Sequence, residues 1–175
     1  MTQQIQALAP CDFHEVQSFY WTLIEQMQDA EFHPGWEKGV YPADAFLKES
    51  LAVGELYALR ADGKIIAAMV LNHQCNDGYN GTKWNVEAAV DEITVIHALG
   101  VLPQVHGQGV APQMVEAAIQ IARAKQQKAI RLDVLGGNIP ALKLYEKFGF
   151  QYHRTVQMFY EDTGWTNFLL YELVL

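Results

Sequence analysis

One short stretch constrains this fold most: a turn with two glycines stands between an apolar strand and a long amphipathic helix. The turn contains Gly107 and Gly109, and a helical repeat of apolar residues covers 109–126. Glycine accepts positive φ angles and lets a ligand approach the backbone. The free N–H groups and the dipole at a helix start attract an anion. The pattern predicts a phosphate or pyrophosphate socket, although two glycines alone also fit an ordinary strand-to-helix turn.

The segments on either side of this turn make the pattern more specific. A β-rich apolar run covers 93–101, and a second strand pattern covers 128–134. A further helix begins at Asn138, a good N-cap, and ends before Gly149, which suits a left-handed helix terminator. This order of elements indicates a mixed α/β sheet with helices on its faces.

Together these residues resemble the GNAT superfamily of acetyl-CoA-dependent N-acyltransferases. The family's pyrophosphate loop, Arg/Gln-x-x-Gly-x-Gly/Ala after a Val-x-Pro, is similar to the register from His106 through Gly109 to Ala111. Its second motif, Asn-x-x-Ala-x-x-Leu-Tyr-Glu-Lys-x-Gly-Phe, is matched at Asn138, Ala141, Leu144, Tyr145, Glu146, Lys147, Gly149 and Phe150. Two motifs in this order are specific, and the resemblance is strong from about residue 93 to residue 150.

The resemblance implies a single acyltransferase domain over 1–175, of the α/β (α+β) class. It implies a mixed, mainly antiparallel central sheet of six to seven strands, with helices on both faces and a splayed central strand pair. Around the two motifs, sequence patterns predict strands at 5–8, 55–60, 64–72, 152–160 and 165–174. They predict helices at 13–27 and 43–53, with loops at 31–42 and 76–83.

The resemblance also implies that the chain binds acetyl-CoA as its acyl donor. In the family, the strand before the pyrophosphate loop opens away from its neighbour, and the pantetheine arm pairs with the exposed edge. Gly100 is expected to allow that irregularity. The implied cofactor-binding residues are Leu99, Gly100, Val101, His106, Gly107, Gln108, Gly109, Val110, Ala111, Asn138, Ala141 and Lys143.

Two positions depart from the family pattern. His106 stands where Arg or Gln is usual, and Pro112 stands where a residue with a free N–H is usual. The first position contributes mainly backbone, so we expect binding to survive with some dependence on pH. Proline fits the first turn of a helix but removes one donor to a phosphate.

Two side chains are candidates for the chemistry of acetyl transfer. Tyr145 matches the family tyrosine that protonates the departing sulfur, and a phenol of pKa about 10 against a thiol of about 8.5 makes that transfer nearly balanced. His97 interrupts an apolar strand and is the candidate general base. A histidine whose hydrogen bonds are satisfied within the fold is an equally good interpretation, and Glu92 and Asp91 are the alternative bases.

The charge distribution indicates the kind of acceptor. Residues 1–100 hold 5 Lys and Arg against 14 Asp and Glu, whereas residues 101–154 hold 7 against 3. An acidic half beside a basic cofactor segment predicts a small amine that is cationic in solution. Aromatic rings suit such a cation. The acceptor-binding candidates are Trp36, Tyr41, Tyr160 and Trp165.

Composition argues against several other classes of protein. The net charge of −8 argues against nucleic acid as a partner, and no run approaches the ~20 apolar residues of a membrane span. The N-terminus has no basic region before an apolar stretch, so we expect no signal peptide. Cys11 and Cys75 lack metal-ligand spacing, so we expect no metal and a cytoplasmic protein. The sequence is compatible with a monomer or a homodimer.

Two other functions stay open from the residues alone. A non-catalytic acetyl-CoA-binding module would use the same turn, although Tyr145 argues for turnover. A dinucleotide-dependent oxidoreductase would also need a glycine turn. Pro112 replaces the third glycine of that fingerprint, and the turn lies past the middle of the chain.

Overall fold

The structure is a computed structural model that describes residues 4–175. Its strands are β1 (Gln6–Ala7), β2 (Leu56–Ala61), β3 (Lys64–Asn72), β4 (Ile93–Val101), β5 (Ala129–Leu135), β6 (Gln151–Tyr160) and β7 (Gly164–Val174). Its helices are α1 (Phe13–Met27), α2 (Asp44–Ala52), α3 (Val110–Ala124) and α4 (Ile139–Lys147). Each strand and helix that the sequence predicts is present, with ends that differ by no more than two residues.

All seven strands form one sheet in the order β1-β2-β3-β4-β5-β7-β6. Every neighbouring pair is antiparallel except β4 and β5, which are parallel. The pairing of β4 with β5 begins at Ile93 and Ala129 and ends at Val95 and Arg131. Beyond that point the two strands diverge, so the predicted mixed sheet and its splayed central pair are confirmed.

The irregularity that frees this half of β4 lies at Ala98 and not at Gly100, where the sequence analysis placed it. Ala98 has a φ of +50°, and the register with β3 shifts between the pairs Val70–His97 and Ala68–Gly100. Gly100 is small for another reason. A Cβ there would lie 2.5 Å from Cδ2 of Leu23, so glycine lets α1 approach the strand.

Helices cover both faces of the sheet, and alternation along β3 explains how one strand serves two cores. Ala67, Met69 and Leu71 pack with the buried residues of α3 and α4. Ala68 and Val70, which point to the other face, pack with those of α1 and α2. This period of two places the diverging ends of β4 and β5 between two helical layers.

A long connection between β3 and β4 is tied to the far half of the sheet by a buried ion pair. Nε of Arg131 donates to Oε2 of Glu172 at 2.9 Å, and Glu172 is 1% exposed. Arg131 also donates to the carbonyl of Val86, while Oε1 of Glu172 accepts from the amide of Asn85. These bonds fix the connection next to β5. Tyr79, which belongs to the connection, therefore lies where β4 and β5 diverge. None of the helices in residues 4–175 is both long and apolar enough to cross a membrane.

Candidate functional site

Two cavities meet where β4 and β5 separate. The larger, called the groove here, has a volume of about 610 Å³ and runs from the turn before α3 along β4 and α4. The smaller, called the inner cavity, has a volume of about 110 Å³ and lies towards β5 and the β6–β7 turn. Trp36, Leu99 and Tyr145 line both. A molecule in the groove would therefore meet a molecule in the inner cavity beside Tyr145.

The glycine turn at one end of the groove presents several free donors. Gly107 and Gly109 have φ angles of +76° and +81°, and a Cβ on either would meet nothing within 4 Å. In this turn and the start of α3, four backbone N–H groups have no backbone acceptor among the described residues, namely those of Gly107, Gly109, Val110 and Ala111. Converging N–H groups at a helix N-terminus, with open space before them, suit an anion such as a pyrophosphate.

Two residues of the turn act differently from the sequence expectation. The amide of Gln108 donates to the carbonyl of Val105 at 3.3 Å, and its side chain donates to Gln104, so it offers no free backbone donor. The ring Nε2 of His106 donates to the carbonyl of Val101 at 2.9 Å. His106 therefore contributes its side chain, which joins the turn to the end of β4.

The exposed edge of β4 supplies backbone groups along the groove. The opposite edge of β4 is paired with β3. There the amide of Leu102 donates to the carbonyl of Ile66 at 3.0 Å, and Gly100, two residues earlier, also faces β3. Because backbone groups alternate along a strand, those of Leu99 and Val101 point away from β3. They face the opening between β4 and β5.

Tyr145 stands at the junction of the two cavities. It lies on α4, is 7% exposed, and packs edge-on against Phe150 with the ring centres 5.4 Å apart. Its hydroxyl makes no hydrogen bond within residues 4–175, although it borders both cavities. Burial and then the charge of Asp133 raise the pKa of Tyr145. The phenol therefore keeps its proton at neutral pH and is available as a donor.

An aspartate that the sequence analysis did not select faces the inner cavity. Asp133 lies on β5, and its Oδ2 accepts hydrogen bonds from the hydroxyls of Tyr79 at 2.8 Å and Tyr160 at 3.2 Å. Burial raises the pKa of Asp133, and the two hydrogen bonds oppose that rise. A signal was present in the sequence, since this is the only acidic residue in a run that is otherwise apolar except for Arg131.

The inner cavity is acidic and aromatic. Asp162 also lines it, and burial raises the pKa of that carboxyl as well. Among the predicted acceptor residues, Trp36, Tyr41 and Tyr160 are in its wall. No Lys or Arg side chain within the described part of the chain lines this cavity. Two carboxylates among aromatic rings favour a small cation.

His97 lines the same cavity but differs from an ordinary histidine. Its Nε2 donates to the carbonyl of Gln74 at 2.9 Å, which leaves Nδ1 as its lone-pair nitrogen. Burial lowers the pKa of His97 to about 4, and the bond to Gln74 opposes that change only in part. The sequence analysis proposed His97 as a general base, and the lowered pKa makes it weaker in that role than an ordinary histidine. At neutral pH His97 is an uncharged and weak base.

Several other candidates lie outside the two cavities. Trp165 is 72% exposed and packs against Phe159 on the outside of the β6–β7 hairpin, so it lies outside the inner cavity and not in the wall where the sequence analysis placed it. Lys143 is exposed on α4 and does not line the groove, whereas Lys147, one turn later, does. Glu92 pairs with Lys128 at 2.8 Å, away from the cavities. Asn138 and Ala141 line both cavities as expected.

Comparison with known proteins identifies the family that this site belongs to. The model of the acetyltransferase (GNAT) family matches residues 20–150. A streptothricin acetyltransferase of Escherichia coli is 37% identical over 67 residues, which are 38% of this chain and 35% of that protein. A Bacillus subtilis relative, whose name proposes a ribosomal protein bS18-alanine N-acetyltransferase, is 25% identical over 88 residues, 50% of this chain and 58% of that protein. The matches thus span about a third and rather more than half of these curated relatives.

The fold itself recurs in solved structures. A GNAT-family acetyltransferase of Listeria monocytogenes superposes with a TM-score of 0.76, covering 100% of this chain and 99% of that one. The two sequences are 19% identical. At this identity the likeness concerns the arrangement of the sheet and helices.

Replacing His97 with Gln should reduce the loss of stability in acid. Because the pKa of His97 is lowered on folding, the unfolded chain binds its proton at a pH where the folded chain does not. The free energy of unfolding of the wild type should therefore fall between about pH 7 and about pH 5, and by less in His97→Gln. Urea unfolding at both pH values measures this.

The exposed His14 provides the matched control for that experiment. His14→Gln should leave the pH dependence of the wild type unchanged. An equal pH dependence in His97→Gln and wild type would contradict the lowered pKa.

Proposed function

The chain belongs to the acetyltransferase (GNAT) family, and from that premise we propose that it moves an acetyl group from acetyl-CoA to the amine of a small cationic acceptor. Its family makes it an acyltransferase. One observation carries the proposal: a groove that starts at a turn of free backbone N–H groups meets an acidic, aromatic cavity beside the hydroxyl of Tyr145. A non-catalytic acetyl-CoA-binding module would leave the inner cavity without a function, and the family match argues against an oxidoreductase.

The groove fits acetyl-CoA, the acyl-donor substrate of the family. The free N–H groups of Gly107, Gly109, Val110 and Ala111 would hold its pyrophosphate. The backbone edge of β4 at Leu99 and Val101 would pair with the pantetheine arm. Lys147, which lines the groove in a basic part of the chain, would face a phosphate. This arrangement brings the thioester to the junction of the two cavities.

The inner cavity fits the acceptor. A protonated amine would be held by the carboxylates of Asp133 and Asp162 and by the rings of Trp36, Tyr41 and Tyr160. An alkylamine with a pKa of about 10.4 is almost fully protonated at neutral pH, so it must lose a proton before it can attack. Asp133, whose pKa is raised by burial, suits that role better than His97, whose pKa is lowered to about 4.

The reaction then follows from the positions of these groups. The neutral amine attacks the thioester carbonyl, a C–N bond forms, and the amide of Leu99 donates to the oxygen as negative charge develops there. The C–S bond breaks, and the hydroxyl of Tyr145 gives its proton to the leaving sulfur. The attacking nitrogen then loses its second proton to solvent. Asp133 releases to solvent the proton that it took from the ammonium, and the Tyr145 phenolate takes one proton from solvent. One proton is therefore released per turnover. The products are the acetamide and free CoA.

Gly109→Ala should weaken acetyl-CoA binding at least tenfold. An added Cβ meets no protein atom within 4 Å, so it would stand in open space at the turn, where the proposed pyrophosphate would lie. Gly54→Ala is the matched control, because Gly54 has a φ of +72° and equally open surroundings at the end of α2. Both changes should cost a similar ~1 kcal/mol of stability through the left-handed backbone, but calorimetry should find weaker binding only in Gly109→Ala. Equal affinities in the two variants would remove the turn from the binding site.

Tyr145→Phe should lower kcat by roughly a hundredfold and change the KM for acetyl-CoA little. The ring packing stays, and only the proton donor for the sulfur is lost. Release of free thiol, followed with a panel of primary amines, measures this change. Tyr152→Phe, on an exposed tyrosine of β6, should match the wild type. Full activity of Tyr145→Phe would leave Tyr145 with a packing role only.

Asp133→Asn should lower kcat/KM for a primary ammonium acceptor by about a hundredfold or more, since it removes a buried charge that the cation faces. In the wild type, kcat/KM should rise as pH passes upward through the pKa of Asp133, because the ionised carboxylate is the active form. That pKa is raised from its ordinary value. The rise should be absent in Asp133→Asn.

Asp62→Asn is the control for that experiment. It removes one exposed carboxylate at the β2–β3 turn, where the φ of +49° suits asparagine. Its kcat/KM and pH profile should match the wild type. If Asp62→Asn and Asp133→Asn behave alike, a cation-binding role for Asp133 is wrong.

A further inference from the structure

A buried tyrosine of α1 holds the backbone of β4 at its irregular point. The hydroxyl of Tyr20 donates to the carbonyl of Ala98 at 2.8 Å, across 78 residues of chain. Tyr20 is 1% exposed and Ala98 is 6% exposed. The contact therefore joins the helical layer to the strand edge inside the protein, where water does not compete for the bond.

The carbonyl that Tyr20 holds belongs to a strained residue. Ala98 has a φ of +50°, a left-handed conformation that costs a residue with a side chain roughly 1 kcal/mol. A regular strand at this position would relieve the strain but would turn the following peptide groups by half a period. The bond from Tyr20 opposes this relaxation, because a regular strand would move the Ala98 carbonyl away from the hydroxyl.

The backbone amide of the next residue, Leu99, is the group whose direction matters for the reaction. Leu99 lines both the groove and the inner cavity, and its backbone faces the opening between β4 and β5. The register of β3 and β4 shifts on the two sides of Ala98, from Val70–His97 to Ala68–Gly100. The conformation of Ala98 therefore decides where the Leu99 amide points.

We infer that Tyr20 is a positioning residue for acetyl transfer, which holds the irregular backbone at Ala98 so that the Leu99 amide aims at the thioester oxygen. This inference rests on the proposed function. Tyr20 touches neither substrate in this role, since it lies behind the strand and lines neither cavity. It acts only through the bond to Ala98.

The ring and the hydroxyl of Tyr20 can be separated by experiment. The ring packs edge-on against Phe19 and Trp36, with centres 4.9 and 5.9 Å apart. Tyr20→Phe keeps these contacts and removes only the bond to the carbonyl. Val16→Ala is the control, because Val16 is 0% exposed and lies one turn earlier on α1 in the same core. It should lower stability by shortening a core side chain without removing a bond to β4.

Tyr20→Phe should lower kcat about tenfold while the KM for acetyl-CoA stays within a factor of about two, because binding in the groove does not need the aimed amide. The infrared stretch of the isotope-labelled thioester carbonyl of bound acetyl-CoA should shift towards its frequency in water. Amide exchange of Leu99 without ligand should become faster. Val16→Ala should show none of these three changes at a similar loss of stability.

A second substitution distinguishes positioning from general loosening. Glycine adopts the φ of Ala98 without strain, so Ala98→Gly in the Tyr20→Phe background should restore much of kcat and of the carbonyl shift. Tyr20→Phe with the kcat, carbonyl frequency and Leu99 exchange of the wild type would overturn the inference, as would a double variant with no recovery. A wild type that neither binds acetyl-CoA nor acetylates any amine would refute the proposed function instead. In that case, faster exchange of the Leu99 amide in Tyr20→Phe than in wild type would still show that Tyr20 holds the backbone of β4, and equal exchange would show that it does not.

Discussion

The separation of two parallel strands inside one sheet is the constraint on which the rest of this structure depends. Beyond Val95 and Arg131, β4 and β5 give up their mutual hydrogen bonds, and polar backbone in a protein interior is costly when it has no partner. The fold meets that cost from both sides. α1 holds β4 through the bond from Tyr20, while Arg131 and Glu172 hold β5 and the connection from residue 73 to residue 92. The remaining edge of β4 stays unpaired with β5 and lines the groove.

The same separation explains why a carboxylate can lie at the centre of the protein. Asp133 projects from the half of β5 that β4 has left, where burial penalises its charge. The two phenol donors that stabilise it come from distant elements, Tyr79 from the connection before β4 and Tyr160 from the end of β6. Folding therefore brings three separate segments together around one carboxylate, which lies in the wall of the inner cavity.

The strands, the helices and the glycine turn could be predicted because they depend on local patterns, whereas the splayed sheet was implied by the family resemblance. Helical and strand periodicity located each strand and α-helix of the described residues to within two residues at either end, and the two motifs around Gly109 and Tyr145 located the groove through the family resemblance. The errors concern features that distant residues decide. The irregularity falls at Ala98, where Tyr20 bonds to the backbone. Gly100 is needed instead because Leu23 approaches the strand closely there.

The acceptor wall was harder to predict for the same reason. Whether an aromatic residue near a hairpin faces a cavity depends on strand register, which placed Tyr160 inside and Trp165 outside. Asp133 stood out in the sequence only as a lone acid in an apolar strand, because its phenol partners are far away in the chain. The pKa of His97 depends on its burial, which no local pattern reports. Local motifs, through the family resemblance that they carry, therefore predicted the groove better than the wall of the inner cavity.

The charge of Asp133 also connects the two halves of the proposed reaction. Burial is the larger cause of the raised pKa of Tyr145, and the charge of Asp133 adds to it. A cation placed beside Asp133, or a proton transferred to it, would cancel that added part while the part from burial stays. Loss of a proton by Tyr145 to the sulfur would then be easier with an acceptor in the inner cavity than without one. A single buried carboxylate would in this way select a cation, take its proton and couple its arrival to protonation of the leaving sulfur.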